Sequence, residues 1–244
     1  MKKYFSSARN NSSSFNIYGV NSPSFGKEAS AFFDFDSLES MAAFYIDAIR
    51  RIQPKGPYNV GGFSVGGQIA IEMARQLIQN HKEVVEKVIL MDTYNLARFG
   101  ADHMDELLNA QANDWSDFLE SVIFSSPPAS GVDGNSSALS VDGSLLMGMI
   151  EQYKKNFSLC VGSRYSRESM LPSTTEIVLI KAMKNPYGNY RGMKANGWGD
   201  IFPHLAIQEL DCSHYQILEE PFIKQVSRTI FDFVKKSKSD NNNC

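Results

Sequence analysis

Three residues, Ser64, Asp92 and His214, have the side chains needed for nucleophilic attack at an acyl carbonyl. A serine hydroxyl is a weak nucleophile until a general base accepts its proton, and a carboxylate must orient that base. The sequence around Ser64 is the most informative of the three, because it predicts the local backbone as well as the chemistry.

Ser64 is the centre of a G-x-S-x-G pentapeptide within GGFSVGG, residues 61–67. The pattern alone occurs by chance, but here it lies between an apolar strand-like run and an apolar helix-like run. On such a strand-to-helix turn the hydroxyl stands clear of the sheet, and the Val65 N–H, at the helix start, is expected to serve as an oxyanion donor. The alternatives are a glycine-rich turn that happens to hold a serine, or a phosphate-binding turn without the P-loop lysine.

His214 is the predicted general base. It directly follows the strand-like run LAIQELD, at the carboxyl end, where open α/β sheets bind ligands. The other histidines fit less well: His81 precedes the candidate acid, His103 lies in a predicted insertion, and His204 precedes the same strand at its opposite end.

Asp92 is the predicted acid, because it ends the strand-like run EKVILMD at the same sheet edge. It could instead be an ordinary turn or cap residue. Asp200, in GWGDIF, remains the alternative acid, whereas Asp211 is so close to His214 in the chain that a turn position is expected.

Strand-like and helix-like segments alternate along the chain, which predicts an α/β fold with a doubly wound, mostly parallel sheet. We expect a single domain over residues 1–244, with a helical lid inserted at 93–173 and irregular ends at 1–14 and 238–244. The predicted strands are 15–20, 58–63, 86–92, 176–182 and 205–211, and the main helices are 36–52, 66–80 and 220–237.

The composition excludes several classes of protein. A net charge of −3 argues against a nucleic-acid partner, which usually requires a basic surface. The three cysteines have no metal-ligand spacing, and their sparse, odd number suits a reducing cytoplasm. No apolar run is long enough to span a membrane, and the first residues lack the apolar core of a signal peptide.

Several segments resemble a known family. PKGPYNVGGFSVGGQIAIEMARQL, LMDTY and the SHY that contains His214 are similar to the thioesterase domains of polyketide synthases and nonribosomal peptide synthetases, and most of all to those of fungal non-reducing polyketide synthases. The resemblance extends from about Phe15 to Val234 and includes IYGVNSPSF. DTY departs from it, because the family usually has a proline after the acid.

This resemblance implies an α/β-hydrolase fold and a Ser64–Asp92–His214 triad without a cofactor. The implied substrate is an acyl or polyketide thioester on the phosphopantetheine arm of an acyl carrier protein, released by hydrolysis, Claisen cyclisation or lactonisation. An acyl carrier protein or polyketide synthase is then the expected partner, and the cytoplasm the expected compartment.

The start of the chain leaves two other functions open. The family begins with a strand and a loop that supplies a second oxyanion donor, whereas here only MKKYF precedes a polar run. A chain without that strand could be a catalytically weak module that binds an acyl chain or a carrier protein. A general carboxylesterase would use the same triad.

Overall fold

The computed structural model describes residues 16–20, 34–98, 143–163, 165, 170–184 and 193–236, with only the backbone for 143–150. Four helices and four strands lie in these ranges. The helices are α1 (Leu38–Arg50), α2 (Val65–Gln79), α3 (Gly143–Gly162) and α4 (Phe222–Lys235), and the strands are β1 (Tyr58–Phe63), β2 (Val85–Met91), β3 (Glu176–Lys184) and β4 (Ala206–Ser213).

The four strands form one parallel sheet in the order β1-β2-β3-β4. All four carboxyl ends therefore lie along one edge of the sheet. Phe63 at the end of β1 is in register with Met91 of β2, and Met91 is in register with Ile180 of β3. The segments that follow β1, β2 and β4 consequently start close together, although β3 separates β2 from β4.

Helices cover both faces of this sheet, because β2 and β3 are apolar on both sides. Val88 and Leu90 of β2 belong to a core cluster shared with α1 and α2. The alternate residues, Ile89 and Met91, belong to a second cluster with α4. Side chains of a strand alternate between faces, so a continuous apolar run requires cover on each side. The predicted fold class, a parallel sheet within an α/β architecture, is confirmed.

Helix α1 begins at a capping box. The Ser37 hydroxyl accepts from the Ser40 N–H at 3.1 Å, and the Ser40 hydroxyl accepts from the Ser37 N–H at 3.2 Å. These bonds satisfy donors that have no acceptor inside the helix. The buried side of α1 then packs on α2.

The predicted strand at 15–20 is wrong for the residues that the structure describes. Residues 16–20 have no regular secondary structure, and Tyr18 and Val20 are exposed. A short apolar run becomes a strand only where a neighbouring strand supplies hydrogen-bond partners, which the sequence of the run does not determine.

Much of the predicted lid, at 99–142, lies outside the described residues, as do both predicted irregular ends. Its described part contains the short 3₁₀ turn Leu96–Arg98 and helix α3. Phe157 and Cys160 of α3 pack with Leu38, Tyr94 and Leu96 in a third apolar cluster above the carboxyl ends of the strands. None of the helices in the described ranges combines the length and apolar composition needed to cross a bilayer.

Candidate active site

Ser64 lies on a sharp turn between β1 and α2. Its φ of 53° and ψ of −124° place it in a region that residues with a side chain rarely adopt. The turn is held by the Ser64 N–H, which donates to the Met91 carbonyl at 2.9 Å. Backbone strain of this kind costs roughly 1–3 kcal/mol and persists only where the surrounding structure enforces it.

Two glycines allow the close contacts that enforce this turn. A Cβ on Gly62 would lie 2.1 Å from the Gly66 carbonyl group, and a Cβ on Gly67 would lie 1.9 Å from the Thr93 hydroxyl. The first contact brings β1 against the start of α2, and the second brings α2 against the segment after β2. Gly62 and Gly67 are therefore required by packing.

Val65 is the first residue of α2. Its N–H is one of the donors that a helix start leaves without an acceptor inside the helix. This N–H directly follows the strained serine at the start of the helix.

Asp92 follows β2 and is fully buried, with a left-handed φ of 41°. Its N–H donates to the Ile180 carbonyl of β3 at 2.7 Å. Its Oδ1 accepts from the Ala182 N–H and from Asn196 Nδ2, both at 3.1 Å. The first bond holds the Asp92 backbone, and the other two hold its carboxylate over the end of β3, so that Oδ2 faces a different partner.

The partner of Asp92 Oδ2 is His214. Its Nδ1 lies 2.7 Å from Asp92 Oδ2, and the side chain is 2% exposed. A carboxylate can only accept, so Nδ1 carries the proton and Nε2 is the acceptor nitrogen of the neutral ring. The imidazole also stacks on Phe63, the residue before Ser64, with ring centroids 4.5 Å apart. His214 is therefore oriented by Asp92 on one side and by Phe63, at the end of β1, on the other.

The structure brings Asp92 and His214 into direct contact. Ser64, Val65 and Asp92 line one small cavity of about 10 Å³, a volume suited to about one water molecule. The remaining residues that line this cavity are Gln68, Tyr94, Leu96 and Phe157.

The other candidates from the sequence lie elsewhere. Asp200 is exposed and pairs with Arg98, and Asp211 is exposed and pairs with Lys184 at 3.2 Å. His81 contacts Arg50, and His204 is exposed before β4. His103 lies outside the described residues.

Asn196 is a residue that the sequence analysis missed. It is fully buried in a turn where Ala195, Asn196 and Gly197 all have positive φ. The pair Asn196-Gly197 predicts such a turn. Nothing in that local pattern indicates a hydrogen bond to an aspartate 104 residues earlier in the chain.

A serine on a strained turn, a buried aspartate–histidine pair and a helix start lie at one sheet edge, and groups of these types are the ones that acyl transfer uses. Within the described residues, no group of His, Cys, Asp and Glu side chains is arranged to hold a metal ion.

Comparison with solved structures gives the same fold. The NocB thioesterase domain, solved as a covalent complex with a fluorophosphonate nocardicin G analogue, superposes with a TM-score of 0.61 and 20% sequence identity. The match covers 86% of this chain and 81% of that one.

Curated relatives match over shorter segments. The non-reducing polyketide synthase crz7 of Cladonia metacorallifera is 47% identical over 77 residues, which are 32% of this chain and 4% of the synthase. The thioesterase pytI of Aspergillus terreus is 42% identical over 80 residues, which are 32% of this chain and 26% of that protein. The matched segments are thus small parts of these relatives.

The sequence profile of one family, described as Thioesterase domain, matches residues 3–233, which is most of the chain. This match confirms the resemblance inferred from the segment around Ser64, from LMDTY and from SHY. The fold, the relatives and the profile agree, and the chain belongs to the Thioesterase domain family.

Proposed function

We propose that this chain releases an acyl or polyketide chain from the phosphopantetheine arm of an acyl carrier protein, through a covalent acyl-enzyme on Ser64. The observation that carries the proposal is the 2.7 Å contact between His214 Nδ1 and Asp92 Oδ2, in a buried site whose cavity includes Ser64. Relatives that are polyketide synthases support the substrate class.

In the first half of the reaction, His214 Nε2 accepts the Ser64 proton while Ser64 Oγ forms a bond to the thioester carbonyl carbon. The Val65 N–H donates to the carbonyl oxygen as its negative charge develops. The carbon–sulfur bond then breaks, and the phosphopantetheine thiol leaves with the proton held by His214. Asp92 stabilises the charged imidazole between these two transfers.

In the second half, His214 accepts a proton from water, or from a nucleophile within the acyl chain, as that group attacks the ester carbon. The bond to Ser64 Oγ breaks, and Ser64 recovers its proton from His214. The product is a free acid or a cyclised chain. The mechanism requires no metal or cofactor.

A fluorophosphonate probe tests the nucleophile directly, because it forms a covalent bond with an activated serine. The NocB thioesterase domain forms a covalent complex with a probe of this class. We expect the purified chain to be labelled, and the labelling to be lost in Ser64→Ala. Ser158→Ala, on the surface of α3, is the matched control and should be labelled like the wild type. Intact mass spectrometry measures the adduct.

Three substrates with one acyl group then test the substrate class: octanoate as a p-nitrophenyl ester, as an N-acetylcysteamine thioester and on a phosphopantetheinylated acyl carrier protein. We expect kcat/KM to be highest for the carrier-bound thioester, by about tenfold or more, equivalent to about 1.4 kcal/mol. A preference for the ester would indicate a general carboxylesterase. No labelling of folded protein would indicate a binding module.

A further inference from the structure

Gln68 is a buried polar residue with one unused hydrogen-bonding group beside Ser64. It lies on α2, one helical turn after Ser64, and is fully buried. Its Nε2 has no hydrogen-bond partner in the part of the chain that the structure describes. A buried donor without a partner is rare in native proteins and requires an explanation.

Residues three and four apart on a helix lie on the same face, so Gln68 shares a face with Val65 and Ser64. Long helical side chains also point back towards the helix start, which here is the nucleophile elbow. Consistent with this direction, Gln68 lines the same small cavity as Ser64, Val65 and Asp92.

The other end of the Gln68 amide is held in place. The Tyr165 hydroxyl donates to Gln68 Oε1 at 3.3 Å. Burial raises the pKa of Tyr165 well above its usual range, which keeps that hydroxyl protonated as a donor. The Oε1 is therefore occupied, and Nε2 is the amide atom that remains available to a ligand in the cavity.

We infer that Gln68 Nε2 donates a hydrogen bond to the carbonyl oxygen of the acyl group on Ser64, as a second oxyanion donor beside the Val65 N–H. This role rests on the proposed acyl-enzyme mechanism. The donor is positioned before the reaction and gains its partner as charge develops on the oxygen, which is the condition for stabilising a transition state.

The test replaces Gln68 with methionine, which is similar in length and has no donor. The matched control is Gln76→Met on the same helix, where the buried amide already donates to the Glu39 carbonyl and to Glu72, outside the cavity. We expect Gln68→Met to lower kcat for octanoyl-N-acetylcysteamine by about 10²–10³-fold, the usual effect of losing one oxyanion donor, with little change in KM. The rate of fluorophosphonate labelling should fall in parallel.

Stability separates a catalytic donor from a structural one. Gln68→Met removes an unpartnered donor and one hydrogen bond, the long one from the Tyr165 hydroxyl, whereas Gln76→Met removes two hydrogen bonds of a buried amide. We therefore expect the thermal midpoint of Gln68→Met to lie above that of Gln76→Met, while its kcat lies far below. A Gln68→Met protein that is folded and within about threefold of the wild-type kcat, a factor well below the loss of one donor, would overturn the inference.

A measurement on the wild-type chain covers the case in which the variant does not fold. In protein labelled with ¹⁵N-glutamine, phosphonylation of Ser64 should shift one side-chain NH₂ proton downfield, because Nε2 then donates to the phosphonyl oxygen. Adduct formation with no shifted glutamine NH₂ signal would contradict the inference alone. Absence of both labelling and turnover in the wild type would contradict the proposed function itself.

Discussion

At the scale of single residues, the Asp92 carboxylate is held on both of its oxygens. One oxygen accepts from the Ala182 N–H and from Asn196, and the other contacts His214. The carboxylate thus cannot rotate away from the imidazole without breaking hydrogen bonds to two other segments. This arrangement favours Asp92 over Asp200 as the acid, because Asp200 is exposed and pairs with Arg98.

Replacement of Asp92 by asparagine tests that assignment. The amide cannot accept from His214 Nδ1 in the same way while keeping its other bonds, so the imidazole loses its orientation. We expect kcat to fall by about 10⁴-fold, the size of loss seen when a triad aspartate becomes an amide. The rate of octanoyl-N-acetylcysteamine hydrolysis measures this fall in kcat.

Asp200→Asn is the control for this substitution. It removes a carboxylate of the same size from an exposed ion pair, and such pairs contribute about 0–1 kcal/mol to stability. We expect activity close to that of the wild type. A large loss of kcat in Asp200→Asn, with little loss in Asp92→Asn, would reverse the assignment of the acid.

At the scale of elements, the contact between α2 and the segment after β2 sets the position of the elbow relative to Asp92. Gly67 and Thr93 meet at this contact, and Thr93 is the neighbour of Asp92. A side chain at residue 67 would therefore push α2 away from the turn that contains Asp92 and Thr93.

Gly67→Ala tests this contact. Its Cβ would lie 1.9 Å from the Thr93 hydroxyl. Overpacking of this kind costs typically about 1–3 kcal/mol. We expect the free energy of unfolding in urea to fall by that amount, together with a loss of kcat as the turn shifts.

Gly66→Ala is the matched substitution one residue earlier. Nothing lies within 4 Å of its Cβ position. Alanine also favours the helix by up to about 1 kcal/mol over glycine, so the stability of this variant should be equal or higher. Equal destabilisation by both substitutions would show that the Thr93 contact is not the cause.

At the scale of the whole molecule, the apolar clusters bury groups that no part of the proposed mechanism uses. Cys160 belongs to the third cluster, and Cys212 belongs to the core that includes α4. Both are buried free thiols. Burial raises the pKa of Cys160 to about 12, and burial together with the nearby Asp92 charge raises the pKa of Cys212 to about 11.

These raised values predict slow alkylation of the native protein. The thiolate is the reactive form. Because pH 8 lies four units below the pKa of Cys160, about one Cys160 thiol in ten thousand is ionised at that pH. We expect iodoacetamide at pH 8 to leave Cys160 and Cys212 unmodified in the folded chain and to modify both in urea, as measured by peptide mass spectrometry.

The rate of this alkylation should also increase with pH. Labelling of the folded protein should rise about tenfold per pH unit above pH 8, since the thiolate fraction rises by that factor below the pKa. Glutathione serves as the unburied control. Native labelling of either cysteine at the glutathione rate would show that the cores around them open readily.

Local sequence patterns were sufficient to predict most elements of the described fold. The apolar runs of β1 to β4, the stripe of α2 and the amphipathic α4 all lie within a few residues of their predicted ranges. Their sequence signals, an apolar run for a strand and an apolar stripe for a helix, are local in the chain. The run at 15–20 failed because a strand depends on a partner elsewhere, and residues 16–20 lack one among the described strands.

Patterns in the chain were enough to predict the family, the strand-to-helix turn at Ser64 and the three candidate site residues. The folded structure was needed to show which aspartate contacts His214, that Asn196 supports it, and that Gln68 Nε2 has no partner among the described residues. A turn is a local backbone conformation, whereas these contacts join segments about a hundred residues apart. Their geometry depends on sheet register and on turns, which short-range periodicity does not encode.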